Sequence, residues 1–105
     1  MTERGAFREK FDALDAAMRA TLVFRYREGL PLAHVAQLVE ADVERLGPRI
    51  ERALAGLGCG EEALRQRLDE LRDDPGLSSF ALITVVRAER RRRRFRLGGL
   101  VWRRA

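Results

Sequence analysis

The chain has 105 residues, 46% of them hydrophobic and 35% charged, with a formal net charge of +5. That length holds one domain with a thin core plus a tail, and the balance excludes a disordered chain. The single cysteine, Cys59, excludes an intrachain disulfide and a cysteine-built zinc site.

Phe7, Phe11, Leu14, Met18 and Leu22 recur at spacings of four and three, which predicts one amphipathic helix over residues 6–28. Glu9, Lys10, Asp12, Asp15 and Arg19 fall on its other faces. Gly29 stops it, and Leu30-Pro31 opposes continuation. A short second helix over residues 31–39 suits Pro31 in its first turn and turns Val35, Leu38 and Val39 inward. Asp42 reads as the N-cap of a third helix whose inner side carries Leu46, Ile50, Ala53, Leu54 and Leu57. Gly58-Cys59-Gly60 ends it, with Cys59 as a small buried or turn residue. A fourth helix over residues 61–72 has Leu64, Leu68 and Leu71 inside, and Glu61-Glu62 favour its positive end. Asp73-Asp74-Pro75-Gly76 is a break. A fifth helix starts from a serine cap at Ser78 or Ser79 and runs to Arg94, and residues 95–105, with Gly98-Gly99, are expected to be irregular or frayed. The fold class expected is therefore all-α, a small helical bundle.

Charge is divided unevenly along the chain. Residues 87–105 carry nine arginines against Glu89 alone, a net +8, whereas residues 1–86 carry a net −3. The basic character belongs to the tail. Arg90, Arg91, Arg92, Arg93, Arg94 and Arg96 suit nucleic-acid phosphates, or an anionic lipid surface with Phe95, Leu97, Leu100, Val101 and Trp102 at the interface. The same block has the look of the positive cytoplasmic flank of a membrane span, which in a longer chain would follow Ala105. Within the sequence itself the most apolar stretch, residues 80–86, falls far short of the roughly 20 residues a span needs. No apolar leader opens the chain, so a cytoplasmic protein, membrane-associated at most through its tail, is expected.

One histidine, one cysteine and no Gly-rich phosphate loop form no nucleophile–base pair, so no enzyme activity, metal or cofactor is expected. His34 reads as a surface or half-buried residue with no partner ligand.

The informative constellation lies between Leu14 and Leu57. Arg19 inside the first helix is followed by Phe24-Arg25-Tyr26, Glu28-Gly29-Leu30, Val35-Ala36 and Arg52-Ala53-Leu54. This order resembles the fourth conserved region of bacterial RNA polymerase sigma factors, the extracytoplasmic-function type in particular, over about 45 residues. The resemblance implies a helix-turn-helix, with Ala36 at the close crossing and Val35, Leu46 and Ile50 filling the wedge. In such motifs the second helix lies in the major groove. By resemblance the DNA-facing residues are Val43, Glu44, Arg45 and Arg49, with Arg52 nearer the backbone.

The pattern departs from the family at two positions. Glu40 stands where glycine is usual, and a left-handed residue there costs on the order of 1 kcal/mol. Pro48 falls inside the recognition helix, where proline kinks a helix at ~3 kcal/mol unless the helix restarts near Gly47. The helix also balances Asp42, Glu44 and Glu51 against Arg45, Arg49 and Arg52. In the family this region follows a promoter-melting domain, whereas here it begins near the initiator methionine, so the chain alone is not expected to initiate transcription.

Three segments follow: residues 1–58 as the helix-turn-helix domain, 59–86 as helices packing on or extending from it, and 87–105 as the basic tail. The function expected is transcription regulation through DNA, RNA polymerase or both. The alternative is a sigma-domain mimic or anti-sigma-type regulator acting on a sigma factor or the polymerase, as the cytoplasmic part of a membrane-anchored protein. A homodimer through Phe80, Ile83 and Val86 is the third reading.

Overall fold

Two phenylalanines set the first helix. In the computed structural model, which describes the backbone of residues 3–104 and the side chains of residues 5–92, α1 (Glu3–Asp12) buries Phe7 and Phe11 with their rings stacked. The continuous helix predicted over residues 6–28 is broken after Asp12. Asp15 caps a new helix, α2 (Ala16–Leu22), by accepting the Met18 N–H at 2.8 Å. Arg19 then donates to the carbonyls of Asp12 and Leu14 at 2.9 and 2.8 Å, satisfying acceptors that the end of α1 leaves open. The apolar stripe continues across the break because both segments face one core.

From Leu22 the chain widens into a π-helical turn (Val23–Arg27) that brings Val23, Phe24 and Tyr26 inside together. It closes at Gly29, which is left-handed (φ 71°), with the Leu30 N–H donating back to the Phe24 carbonyl. This segment is the central post: helices α3 (Leu32–Leu38) and α5 (Glu61–Glu70) pack on the π turn, and α4 (Val43–Leu57) and α6 (Ser79–Arg104) pack on α2.

Helix α3 (Leu32–Leu38) has Pro31 as its N-cap, one residue outside the expected position. Val35 and Ala36 are buried, Leu38 is half-buried, and His34 is exposed. Residues 39–42 make the connection. Glu40 is left-handed (φ 54°), the only non-glycine residue so placed among those described, and the Ala41 N–H donates to the Ala36 carbonyl at 2.8 Å. Asp42 caps α4 (Val43–Leu57) by accepting the Glu44 N–H, as its position predicts. Leu46, Ile50, Ala53 and Leu57 form the buried stripe of α4, while Leu54 is half-buried rather than inside. Val35, Ala36, Leu46 and Ile50 all belong to the single core cluster, and α3 packs directly on α4. Left-handed Gly58 ends α4, its N–H on the Leu54 carbonyl.

Helix α5 (Glu61–Glu70) buries Leu64 and Leu68 and stops two residues short of the expected end. Asp74 caps a 3-10 turn (Pro75–Leu77), accepting the Gly76 N–H. Ser78 then caps α6 (Ser79–Arg104) through the Ala81 N–H. Residues 95–104 continue this helix instead of fraying. The docked first turns nucleate it, its Arg and Leu residues favour it, and two glycines at about 1 kcal/mol each do not break it. Leu82 and Val86 are buried in the same cluster as the rest of the core. No strand occurs among the described residues; the fold is an all-α bundle.

Polar ties lock the periphery to this core. Arg8 holds Asp74 at 2.6 Å, Arg27 donates to the Leu77 carbonyl, and the Tyr26 hydroxyl donates to Glu61 at 3.2 Å. Burial, with Glu61 next, pushes the Tyr26 phenol up from its ordinary value. Arg67 lies over the Phe7 ring, 5.4 Å from its centre.

Candidate nucleic-acid interface

Helical geometry sorts the α4 side chains into stripes. Leu46, Ile50, Ala53 and Leu57 face the core. Arg45, Arg49 and Arg52, at the same four–three spacing but one residue earlier, make a stripe about 100° round the helix, and all three are exposed. Glu44 and Glu51, with Pro48 between them, make the next stripe, opposite the core, and they too are exposed. With Asp42 counted, the net charge of this surface is zero, yet the two signs on the helix are separated. Val43 is 41% exposed but lies on the other flank of the buried stripe. Of the five expected contact residues, the structure thus groups the three arginines, sets Glu44 beside them and places Val43 apart.

Pro48 does not restart the helix, because α4 is one element from Val43 to Leu57. The missing N–H leaves the Glu44 carbonyl without its intrahelical donor. That carbonyl sits in the first turn on the exposed side, where water can take the donor's place, which lowers the cost. Arg45 reaches Asp42 only at 3.9 Å, with 84% of its side chain exposed, so the pair holds it weakly. Arg49 sits where α4 meets α2 and α6, lining a small cavity of about 70 Å³ with Met18, Leu46 and Glu89.

The basic tail is not uniform. Arg90, expected to be available to phosphate or lipid, instead turns back onto the α3–α4 connection. Its guanidinium donates to the carbonyls of Val39 and Glu40 and pairs with the Glu40 carboxylate at 3.3 Å. Arg91 and Arg92 are exposed. Arg93, Arg94 and Arg96 are helical in backbone, and their side chains lie outside the described residues, as do those of Phe95, Leu97, Leu100, Val101 and Trp102. The clamp by Arg90 was not legible from spacing. An acid at a position that favours glycine was the one available signal, since its strain asks for a compensating contact.

The proposed dimer face is also revised. Val86 is 2% exposed and belongs to the core, Ile83 is half-buried, and Phe80 stands out at 83%. Among the described residues no helix is long and apolar enough to cross a membrane, and no three His, Cys, Asp or Glu side chains gather as a metal site. The Cys59 thiol is half-buried, and that burial pushes it up from its ordinary value.

The fold and these surfaces define a small all-α bundle with an exposed arginine stripe on α4. No protein-family model, no curated protein and no solved structure matches the chain.

Proposed function

We propose that the protein is a transcription regulator that binds DNA through a helix-turn-helix made by α3, residues 39–42 and α4, similar to region 4 of the sigma factors. The exposed Arg92 of α6 adds sequence-independent affinity. The observation that carries this reading is the exposed stripe of Arg45, Arg49 and Arg52 on α4. Guanidinium groups in a row along a helix suit the phosphates and base edges of a major groove. Fluorescence anisotropy with duplex DNA tests it. Binding should weaken by about tenfold on Arg49→Ala, the size of one lost arginine contact. Absence of binding even at low salt would end the reading.

A second reading rests on the acidic stripe. Glu44 and Glu51 point directly away from the core and repel phosphate, so α4 also suits a protein partner, either a sigma factor or RNA polymerase. Pull-down with core polymerase and with purified sigma factors separates the two. A Glu44→Lys/Glu51→Lys variant should bind DNA more tightly under the first reading and lose its protein partner under the second.

A further inference from the structure

A second surface lies on the other side of α6 from Arg49. Phe80, Thr84, Arg87 and Arg91 recur at spacings of four, three and four, so they share one stripe, and all four are exposed. Thr84, Arg87 and Arg91 face Gln37 and Leu38 of α3 across a cleft of about 620 Å³. The Arg90–Glu40 pair also lines it, so the one carboxylate of the cleft already meets a guanidinium. Arg87 and Arg91 form no ion pair among the described residues.

We propose that this cleft docks an acidic amphipathic helix of a partner protein. Arg87 and Arg91 are one turn apart, roughly 6 Å along α6, which matches two carboxylates four residues apart on a helix lying alongside. Phe80 stands ~10 Å further up the same stripe. With half-buried Leu38 it offers apolar area to the apolar face of that helix. Phosphate would satisfy the two arginines but leave Phe80 and Leu38 in water, so the mixed chemistry favours protein over nucleic acid. The mode is a helix laid into a groove, with charge setting its register. Nothing in it uses α4, so it goes beyond the DNA reading.

The test is a titration of the isotope-labelled full chain, followed by NMR. The probe is a short, end-blocked helical peptide with leucines on one face and glutamates on the other. Its lysine-for-glutamate counterpart and a short DNA duplex are run in parallel. The acidic peptide should shift the amides of Gln37, Leu38, Thr84 and Arg87. Arg87→Glu/Arg91→Glu should weaken it by about tenfold, and Phe80→Ser should weaken it as well. All three side chains are exposed, so these variants keep the wild-type circular dichroism. Arg45→Glu/Arg49→Glu should leave peptide affinity unchanged while abolishing DNA binding, which keeps the two proposals distinguishable. Equal binding of the lysine peptide, undiminished affinity in the Arg87→Glu/Arg91→Glu variant, or shifts of the cleft amides by DNA alone would each overturn the proposal.

Discussion

Arg90→Ala is expected to destabilise the fold by about 2.5 kcal/mol, although the residue lies in what the sequence presents as a solvated basic run. Its guanidinium donates to the carbonyls of Val39 and Glu40. These carbonyls close the C-terminal end of α3, where the helix leaves acceptors open and partial negative charge. A charged hydrogen bond is worth roughly 1.5–3 kcal/mol when buried. With 36% of this side chain exposed, about 1 kcal/mol for each of two bonds is the discounted figure. The ion pair with Glu40 adds ~0.5 kcal/mol because both partners are partly in water.

Glu40→Gly should by contrast be close to neutral. It relieves a left-handed backbone at about 1 kcal/mol, loses the ion pair, and gives the unfolded chain the extra freedom of glycine. In the Arg90→Ala background the same change should be more favourable by the ion pair alone, ~0.5 kcal/mol. Urea unfolding followed by circular dichroism measures the whole cycle, and Arg90→Ala should lower Tm by roughly 10 °C. An Arg90→Ala protein within about 0.5 kcal/mol of wild type would refute the clamp.

Three further outcomes follow from the packing. Ala36→Leu should cost about 1–3 kcal/mol by overfilling the α3–α4 contact, where Ala36 is 4% exposed; calorimetry showing an unchanged Tm would mean the two helices do not pack closely there. Asp15→Ala should cost about 1 kcal/mol and speed hydrogen exchange at the Met18 amide, since it removes the α2 cap; exchange unchanged from wild type would return the break after Asp12 to a continuous helix. The Arg8 guanidinium and then the Gly76 N–H hold the Asp74 carboxyl below its ordinary value. Protonation on acidification therefore favours the unfolded chain, so this stability is present above about pH 4 and is lost as pH falls through the folded value. Urea midpoints measured against pH should show a flatter acid limb in Asp74→Asn; identical limbs would count against the Arg8–Asp74 tie.

Local punctuation is legible in the sequence because its physics is local. Asp42, Gly58 and Ser78 cap the helices they were expected to cap, since a carboxylate or hydroxyl beside a free N–H, or a glycine free to go left-handed, acts within one turn. The all-α class follows from the same propensities and from apolar stripes at helical spacing. The break at residues 13–15 is hidden in the sequence because Phe11, Leu14 and Met18 keep helical spacing across it, so the pattern reports a shared core and not an unbroken rod. Composition alone points Val86 to a dimer face and Arg90 to a solvated tail. Only the path of α6 over α2 and the α3–α4 connection shows that both turn inward. For the candidate site, the exposure of Arg45, Arg49 and Arg52 could be read from a 3.6-residue period once Leu46 and Ile50 were assigned inside. The cleft beside α3 could not, because it joins residues some fifty positions apart.

The salt dependence of DNA binding addresses the proposed function most directly. Each phosphate neutralised contributes about 0.9 to the slope of log affinity against log salt. If Arg45, Arg49 and Arg52 lie on the duplex, replacing all three by alanine should flatten that slope by up to ~2.7. A slope the same as wild type would place the DNA on other residues, and α4 would cease to be the reading helix.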